Sequence, residues 1–281
     1  LKNKFVLGTA NFGKKYGLSN HNFSKKNIEN LLNYLIDNNI HYLDTAQLYG
    51  DSEKIIGDFD SNSIFKLITK FKLHKGGNSF EVISNSFVKL KKNKIYALMY
   101  HDFEDYLNFP NSLNILKNLK KSSKIKKIGF SLYFPSQLDF LLKNNIDFDL
   151  IQIPYNLFDQ RFEKYFKYLN ERKIEIHVRS IFLQGLFFKT EKNIPTNLKA
   201  LASNIKKLHQ VSYDNKLTIL ESAIYFVFNN KFIDKVVVGV DSLDNLKEIF
   251  KILNLKIDIN TKQVFKDFEI NDENLILPIN W

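Results

Sequence analysis

Short apolar segments alternate with amphipathic segments along almost all of this 281-residue chain, and this alternation limits its possible folds more than any other feature. An apolar run such as residues 95–100 is typical of a buried strand. The segment after such a run repeatedly has apolar residues at the three- and four-residue spacing of a helix. We count about eight strand-then-helix units, with no Pro-, Gly- or Ser-rich linker between them. This organisation predicts an α/β fold, the (β/α)8 TIM barrel of parallel strands.

The predicted elements follow one another at regular intervals. Strands are predicted at residues 5–10, 41–44, 64–69, 95–100, 125–130, 150–153, 174–178 and 235–240. Among the predicted helices, one is capped by Ser24 and another begins near Asp51 and ends at Gly57. The simplest interpretation is a single domain over residues 1–281, with an extra C-terminal segment that the barrel pattern does not place.

A doubly wound open sheet uses the same alternation and is the alternative fold. Such a sheet is expected to have a glycine-rich phosphate-binding motif after an early strand. Residues 8–13 lack the required spacing of three glycines, and the chain has no Walker-type lysine loop. The sequence therefore favours the barrel.

The composition argues against several classes of function. The chain has no Cys, which excludes disulfides and thiolate catalysis, and no group of His and carboxylates has the spacing of metal ligands. The net charge of +11 raises nucleic-acid binding as a hypothesis, but the cations are mostly Lys and are spread along the chain, which favours a solvated surface and no nucleic-acid partner. No signal peptide is recognisable, and no apolar run reaches the roughly 20 residues of a membrane span. We therefore expect a cytoplasmic protein without membrane association.

Ionisable residues stand at the ends of three consecutive predicted strands. Asp44 and Tyr49 follow the second strand, Lys70 ends the third and His101 ends the fourth. In a β/α barrel these strand ends form one rim, where the active sites of such barrels lie. Taken singly, each residue has an ordinary structural explanation, such as a helix-capping carboxylate or a surface lysine. Their joint placement on consecutive strands favours a catalytic site.

These four residues suit a carbonyl substrate. A phenol has a reference pKa of about 10, but a neighbouring ammonium favours the phenolate and lowers that pKa. Lys70 would supply the ammonium, Asp44 would hold it, and His101 would direct the carbonyl oxygen towards Tyr49. The set predicts a proton donor and a polarising site, which is half of an aldehyde or ketone reduction.

Motifs spread over nearly the whole chain support this interpretation. They lie at residues 7–13, 43–46, 49–50, 52–53, 68–70, 101, 129–131, 152, 155–156 and 239. In this order the motifs resemble those of the aldo/keto reductases. The resemblance implies transfer of a hydride from a reduced nicotinamide cofactor to an aldehyde or ketone. It also implies that Tyr49 is the general acid, that Lys70 and Asp44 tune it, and that His101 orients the substrate.

The resemblance further implies that the same rim binds NADP(H) or NAD(H). Ser131 and Gln152 would hold the nicotinamide carboxamide. Residues 178–186 would line the ring and the pyrophosphate, and residues 238–248 would meet the adenosine end. The implied cofactor-binding residues are Thr9, Ser131, Gln152, Arg179, Ser180, Gly239, Asn245 and Glu248.

Three features depart from the family pattern. Leu132 replaces an Asn of many relatives, which removes one contact to the carboxamide. Arg179 stands where an aromatic residue commonly stacks on the nicotinamide, and its charge would disfavour the oxidised ring. Gly239 and Asn245 stand where relatives often have cations for the 2'-phosphate, and Asp241 adds a like charge. The choice between NADP and NAD therefore stays open, since Lys247 is close in sequence and can supply the missing positive charge.

Two other classes of function stay open from the sequence. A regulatory or partner subunit would keep the barrel and bind cofactor with little turnover, and an unrelated barrel isomerase or lyase would need no nicotinamide. We expect a small-molecule carbonyl or alcohol as substrate, and an aromatic lining suits a sugar-type carbonyl and equally many aldehydes. The residues expected to form this lining are Tyr16, Phe103, Tyr133, Phe158 and Phe182.

Overall fold

Eight parallel strands close into a barrel in chain order, with β8 paired to β1. The structure is a computed structural model that describes residues 1–13, 23–255 and 259–281. The strands are β1 Phe5–Gly8, β2 Tyr42–Asp44, β3 Lys66–Phe71, β4 Ile95–Tyr100, β5 Ile125–Ser131, β6 Leu150–Pro154, β7 Glu175–Arg179 and β8 Lys235–Val238. The predicted (β/α)8 TIM barrel is confirmed.

Helices connect the strands and pack on the outside of the barrel, and the main apolar core lies between the two layers. The α-helices are α1 Lys25–Asp37, α2 Ser52–Phe59, α3 Ser79–Lys89, α4 Phe103–Asn108, α5 Ser112–Lys121, α6 Pro135–Lys143, α7 Phe166–Glu171, α8 Ala202–Asp214, α9 Ile219–Phe228, α10 Leu243–Asn254, α11 Thr261–Val264 and α12 Glu273–Ile276. Short 3₁₀ helices lie at Lys2–Lys4, Glu163–Tyr165, Leu183–Phe188, Glu191–Asn193, Thr196–Leu201, Lys266–Phe268 and Pro278–Asn280. In the described part of the chain, none of the helices has both the length and the apolar character needed to cross a membrane.

One apolar layer fills the middle of the barrel and determines which side chains point to its C-terminal rim. Its buried members are Val6, Ile68, Ala97, Met99, Leu150 and Val237. Successive residues of a strand point to opposite faces, so the residue two positions further along points inward again, one layer nearer the rim. These next inward positions include Gly8, Lys70, His101, Gln152 and Gly239.

The sequence of α1 explains where this helix begins and which of its side chains are buried. Ser24 caps α1, because its hydroxyl accepts a hydrogen bond from the backbone N–H of Asn27 at 3.2 Å. The helix then buries Ile28, Leu31 and Leu35 at helical spacing against the barrel. The predicted N-cap is confirmed.

The prediction that Gly57 ends the helix after β2 is wrong. This helix, α2, continues to Phe59, and Gly57 lies inside it. A β-carbon at Gly57 would come within 2.5 Å of the carbonyl oxygen of Lys89, at the end of α3. The glycine therefore permits a close approach of two helices, which a local sequence pattern for helix ends does not distinguish from a cap.

The extra C-terminal segment packs against the loop that follows β6. The backbone N–H of Ile270 donates to the carbonyl oxygen of Phe158 at 2.9 Å, and the Phe268 and Phe158 rings are stacked. An ion pair of 2.5 Å joins Arg161 to Glu273. These contacts attach the segment to the same end of the barrel as the loops that follow the strands.

Candidate active site

A cavity of about 350 Å³ opens at the C-terminal rim of the barrel. Several residues predicted to form the site line this cavity although they are far apart in the sequence. They are Asp44, Tyr49, Gln152, Arg179, Ser180 and Gly239. They meet because parallel strands in a closed barrel bring their C-terminal ends to one rim.

Asp44 and Lys70 form a buried ion pair at the base of this site. The Nζ atom of Lys70 lies 2.6 Å from Oδ1 of Asp44 and also donates to the carbonyl oxygen of Thr45 at 3.1 Å. The second carboxylate oxygen of Asp44 accepts a hydrogen bond from Nε2 of Gln152 at 2.7 Å. The pair is almost fully buried, and each group has the partners that a buried charge requires.

Tyr49 and His101 lie beside this ion pair. Their rings meet edge to face, with the ring centres 5.7 Å apart and the ring planes at 89°. The Nζ atom of Lys70 lies 5.2 Å from the centre of the Tyr49 ring. All four residues predicted to be catalytic are therefore in one cluster.

Two glycines position the loop that holds Tyr49. Gly50 has a φ of 59°, which favours a residue without a β-carbon, and the backbone N–H of Tyr49 donates to the carbonyl oxygen of Ala46. Gly13, in the loop after β1, passes so close that a β-carbon there would collide with the carbonyl oxygen of Tyr49. The loops after β1 and β2 thus hold each other, and this contact restrains the phenol.

The surroundings of Tyr49 hold the pKa of its phenol above the ordinary value. Burial is the largest cause, the negative charge of Asp44 acts in the same direction, and the positive charge of Arg179 opposes both. The net shift is opposite to the lowering expected from a neighbouring Lys70. The reason is that burial and the negative charge of Asp44, which also pairs with Lys70 at 2.6 Å, together outweigh the nearby cations.

The loop after β7 forms another part of the cavity wall and has an unusual backbone. Ser180, Gln184 and Gly185 all line the cavity and have φ values of 61°, 53° and 87°. Left-handed conformations are costly for residues other than glycine and are concentrated at functional sites. The tertiary structure therefore maintains a strained loop at the edge of this cavity.

The sequence model of the aldo/keto reductase family matches residues 4–269 of this chain. This chain belongs to the aldo/keto reductase family. Membership supports an oxidoreductase enzyme and carbonyl reduction in general terms, as the sequence predicted. The closed barrel with its cavity at the C-terminal rim agrees with this assignment.

Known proteins similar to this aldo/keto reductase include two from Bacillus subtilis. The uncharacterised oxidoreductase YqkF is 24% identical over 259 residues, which cover 80% of this chain and 82% of YqkF. The aldo-keto reductase YhdN is 26% identical over 168 residues, which cover 54% of this chain and 50% of YhdN. Among solved structures, the holo form of the aldo-keto reductase AKR11C1 from Bacillus halodurans has a TM-score of 0.77 and 18% identity, with 94% of this chain and 91% of that chain covered. At 18% identity, this similarity shows that the two proteins share a fold.

Gln152 offers a buried acceptor that suits a nicotinamide carboxamide. Its Oε1 atom is buried and has no hydrogen-bond partner among the described residues. Ser131 is paired in register with Gln152 on the neighbouring strand and is also buried. A carboxamide has N–H donors for the Gln152 oxygen and an oxygen for the Ser131 hydroxyl, so these two residues fit it. Residues 1–13, 23–255 and 259–281 contain no group of three or more His, Asp or Glu side chains that could hold a metal ion.

Four residues predicted to bind cofactor in this aldo/keto reductase do not line the cavity, and one of them is Ser131, which is buried beside Gln152. Thr9 is fully buried, and its hydroxyl donates to the carbonyl oxygen of Asp44 at 2.9 Å, which makes it a support for β2. Asn245 and Glu248 are exposed on α10. The backbone N–H of Asn245 donates to the Ser242 side chain, which caps that helix.

The expected aromatic lining is only partly present. Phe182 lines the cavity, whereas Phe103 and Phe158 do not and are buried in the core. Phe158 packs between Phe187 and the C-terminal segment, so the prediction for it was wrong. Tyr16 lies outside the described residues.

The prediction also missed residues that form the wall. Asn11 lines the cavity and donates from Nδ2 to the carbonyl oxygen of Val240 at 2.6 Å, which joins the loop after β1 to the segment after β8. Lys189 lines it as well. The only sequence signal for Asn11 was its place in the motif at residues 7–13, because a single loop asparagine has no periodicity to mark it.

Proposed function

We propose that this protein is a nicotinamide-dependent oxidoreductase that reduces an aldehyde or ketone to an alcohol, with Tyr49 as the general acid. The observation that supports this role is the cluster at the cavity: Tyr49 beside His101, above the 2.6 Å ion pair of Lys70 and Asp44. The cofactor is NADP(H) or NAD(H), held at its carboxamide by Gln152 and Ser131.

In the proposed reaction, a reduced nicotinamide cofactor supplies the hydride when it is bound. Tyr49 gives its hydroxyl proton to the carbonyl oxygen of the substrate, which His101 directs by a hydrogen bond. Asp44 keeps the Lys70 ammonium beside the Tyr49 ring, where it stabilises the phenolate that remains after proton transfer. The chain thus supplies a proton donor whose conjugate base is stabilised by nearby cations.

The raised pKa of Tyr49 is consistent with a proton donor. Because burial and Asp44 keep the pKa above its ordinary value, the phenol holds its proton at neutral pH. The same property opposes the reverse reaction, which needs the phenolate as a base. We infer that the enzyme works chiefly as a reductase near neutral pH.

A cofactor titration and a turnover assay test the proposal together. Purified protein is titrated with NADPH and NADH, followed by nicotinamide fluorescence, and cofactor consumption is measured with sugar and non-sugar carbonyls. We expect binding of at least one cofactor and turnover of some carbonyls. In Tyr49→Phe, kcat should fall by about 10²–10⁴-fold, the usual contribution of a general acid, while cofactor binding stays intact. Full turnover by Tyr49→Phe would contradict the acid role.

The same assays distinguish the alternative functions. A regulatory or partner subunit would bind cofactor tightly and show negligible turnover over the whole panel. An isomerase or lyase would convert substrate without nicotinamide. Sugar-type carbonyls are one arm of the panel because Phe182 on the cavity wall suits a ring-shaped substrate.

A further inference from the structure

Glu53 is a buried carboxyl that takes no part in the reaction proposed above. It lies in the first turn of α2, just after Tyr49 in the sequence, and is fully buried. Its Oε1 atom accepts a hydrogen bond from the Thr69 hydroxyl at 2.6 Å, whereas its Oε2 atom is buried without a hydrogen-bond partner among the described residues. A buried polar atom without a partner lowers stability, and such atoms are concentrated at functional sites.

Thr69 connects Glu53 to Lys70. The two residues are adjacent in β3, and successive residues of a strand point to opposite faces. Their partners on β4 agree with this, since Thr69 is paired with Leu98 of the main core and Lys70 with Met99 of the layer inside the barrel. Glu53 therefore holds β3 from the outside, at the residue next to Lys70.

Gln47 makes a second contact of this kind. Its backbone N–H donates to the carbonyl oxygen of Lys70 at 2.9 Å, and its Nε2 atom donates to Oγ of Ser86 at 2.9 Å. The Ser86 hydroxyl also interacts with the carboxyl of Glu53. Because Tyr49 lies between Gln47 and Glu53 in the sequence, the segment that carries Tyr49 is attached to β3 at both of its ends.

We propose that Glu53 is a positioning residue for Lys70. By holding Thr69, it fixes the place of the Lys70 ammonium beside the Tyr49 ring. This inference rests on the proposed function, in which that ammonium stabilises the phenolate. The Nζ atom of Lys70 lies 5.2 Å from the centre of the Tyr49 ring and 2.6 Å from Oδ1 of Asp44. Electrostatic stabilisation depends on such distances, so a shift of β3 weakens it.

The contacts of Glu53 do not require a negative charge. Thr69 and Ser86 present hydroxyls, which need only an oxygen acceptor. Burial raises the pKa of Glu53, and the two hydroxyls and the positive charges of Lys89 and Lys70 oppose this shift only in part. The environment thus favours the uncharged carboxyl, which adds no second negative charge near Lys70. An uncharged amide of the same shape should therefore perform the same role.

Three variants test this role, namely Glu53→Gln, Glu53→Ala and Thr69→Val. The matched control is Asp60→Asn, which changes a buried carboxyl at the other end of α2, where it pairs with Lys92 at 3.0 Å. Crystal structures of the variants give the position of the Lys70 ammonium. Steady-state kinetics give kcat and KM for carbonyl reduction and the pH profile of alcohol oxidation. Chemical denaturation establishes that each variant is folded.

We expect Glu53→Gln to keep the position of Lys70 and the wild-type oxidation profile. In Glu53→Ala and Thr69→Val, kcat should fall by about 10–100-fold with KM within about twofold, because a small displacement of a group that acts in the transition state is costly. Their oxidation profiles should move to higher pH, since the phenolate of Tyr49 loses a nearby cation. Asp60→Asn should lose stability and leave the oxidation profile unmoved.

An unmoved Lys70 and a wild-type oxidation profile in Glu53→Ala would overturn the inference. A loss in Glu53→Gln equal to that in Glu53→Ala would overturn it as well, and so would an equal shift of the profile in Asp60→Asn. If Glu53→Ala does not fold, Thr69→Val decides the question, because it removes one hydroxyl and keeps the volume of the side chain.

The outcome for the general function is separate. A displaced Lys70 in Glu53→Ala, together with a wild type that reduces no carbonyl, would support the positioning of Lys70 by Glu53 and contradict the proposed reductase.

Discussion

The ammonium of Lys70 lies 2.6 Å from the carboxylate of Asp44, and the two side chains are only 1% and 3% exposed. Removing one partner of such a pair leaves an uncompensated charge in the interior. We therefore expect Lys70→Met to lower the free energy of unfolding by about 3–5 kcal/mol. Turnover should fall as well, because the phenolate of Tyr49 loses a neighbouring cation. Chemical denaturation and steady-state kinetics measure the two effects.

A double variant separates stability from catalysis. Asp44→Asn removes the carboxylate charge but keeps an oxygen that can accept the hydrogen bond from Gln152. Asp44→Asn/Lys70→Met should therefore be more stable than Lys70→Met alone and remain as inactive. A double variant no more stable than the single one would mean that the unpaired charge is not the cause of the loss.

The pH dependence should differ between the two directions of the reaction. Since the pKa of Tyr49 lies above its ordinary value, the phenol stays protonated, and single-turnover reduction should be nearly constant from about pH 6 to 9. Alcohol oxidation needs the phenolate and should accelerate as pH rises. Arg179→Met removes a cation that lowers this pKa, and it should move the oxidation profile to higher pH. Superimposable oxidation profiles in the two proteins would argue against electrostatic coupling between these residues.

We expect NADH to bind more tightly than NADPH. Asp241 lies on the cavity wall, and Glu248 is exposed on α10. The cation nearest to Glu248 in the sequence is Lys247, whose ammonium lies 3.8 Å from the carboxylate of Asp244. A 2'-phosphate near these carboxylates would be repelled. The ratio of dissociation constants should be roughly tenfold or more, and Asp241→Asn should reduce it. Tighter binding of NADPH by the wild type would show that other cations hold the 2'-phosphate.

Glu175, at the start of β7, should make the barrel sensitive to acid. Burial alone would raise the pKa of Glu175, but contacts with His177, Tyr96 and Lys127 hold it at about 2. A depressed pKa contributes stability above the unfolded-state value of 4.5, and that stability is lost as pH falls towards about 2. Glu175→Gln should therefore be less stable than the wild type at pH 7 by about 2–3 kcal/mol, with the difference vanishing near pH 2.

Denaturant titrations between pH 2 and 7 test this prediction. The control is Glu171→Gln, whose side chain is 62% exposed and which should change little at any pH. A difference between Glu175→Gln and the wild type that persists unchanged to pH 2 would exclude titration of this carboxyl as its cause.

Local patterns were sufficient for the elements that depend on neighbours in sequence. The period of apolar residues located the strands, and the cap at Ser24 was recognised because its hydroxyl contacts a backbone N–H only three residues away. Gly57 was misassigned, since its small size is needed by a contact with Lys89, 32 residues further along the chain. The same limit applies to Phe158, whose burial depends on the C-terminal segment.

The sequence by itself determined the barrel, the family and the residues that meet at the C-terminal rim, because strand ends in a parallel barrel converge regardless of loop details. Only the tertiary structure decided how these groups act on one another. The pairing of Lys70 with Asp44 was already expected from the sequence, but the tertiary structure alone left Arg179 without a carboxylate partner among the described residues. It also raised the pKa of Tyr49 rather than lowering it. Charge interactions depend on burial and on distances of a few ångströms, which neither composition nor spacing along the chain specifies.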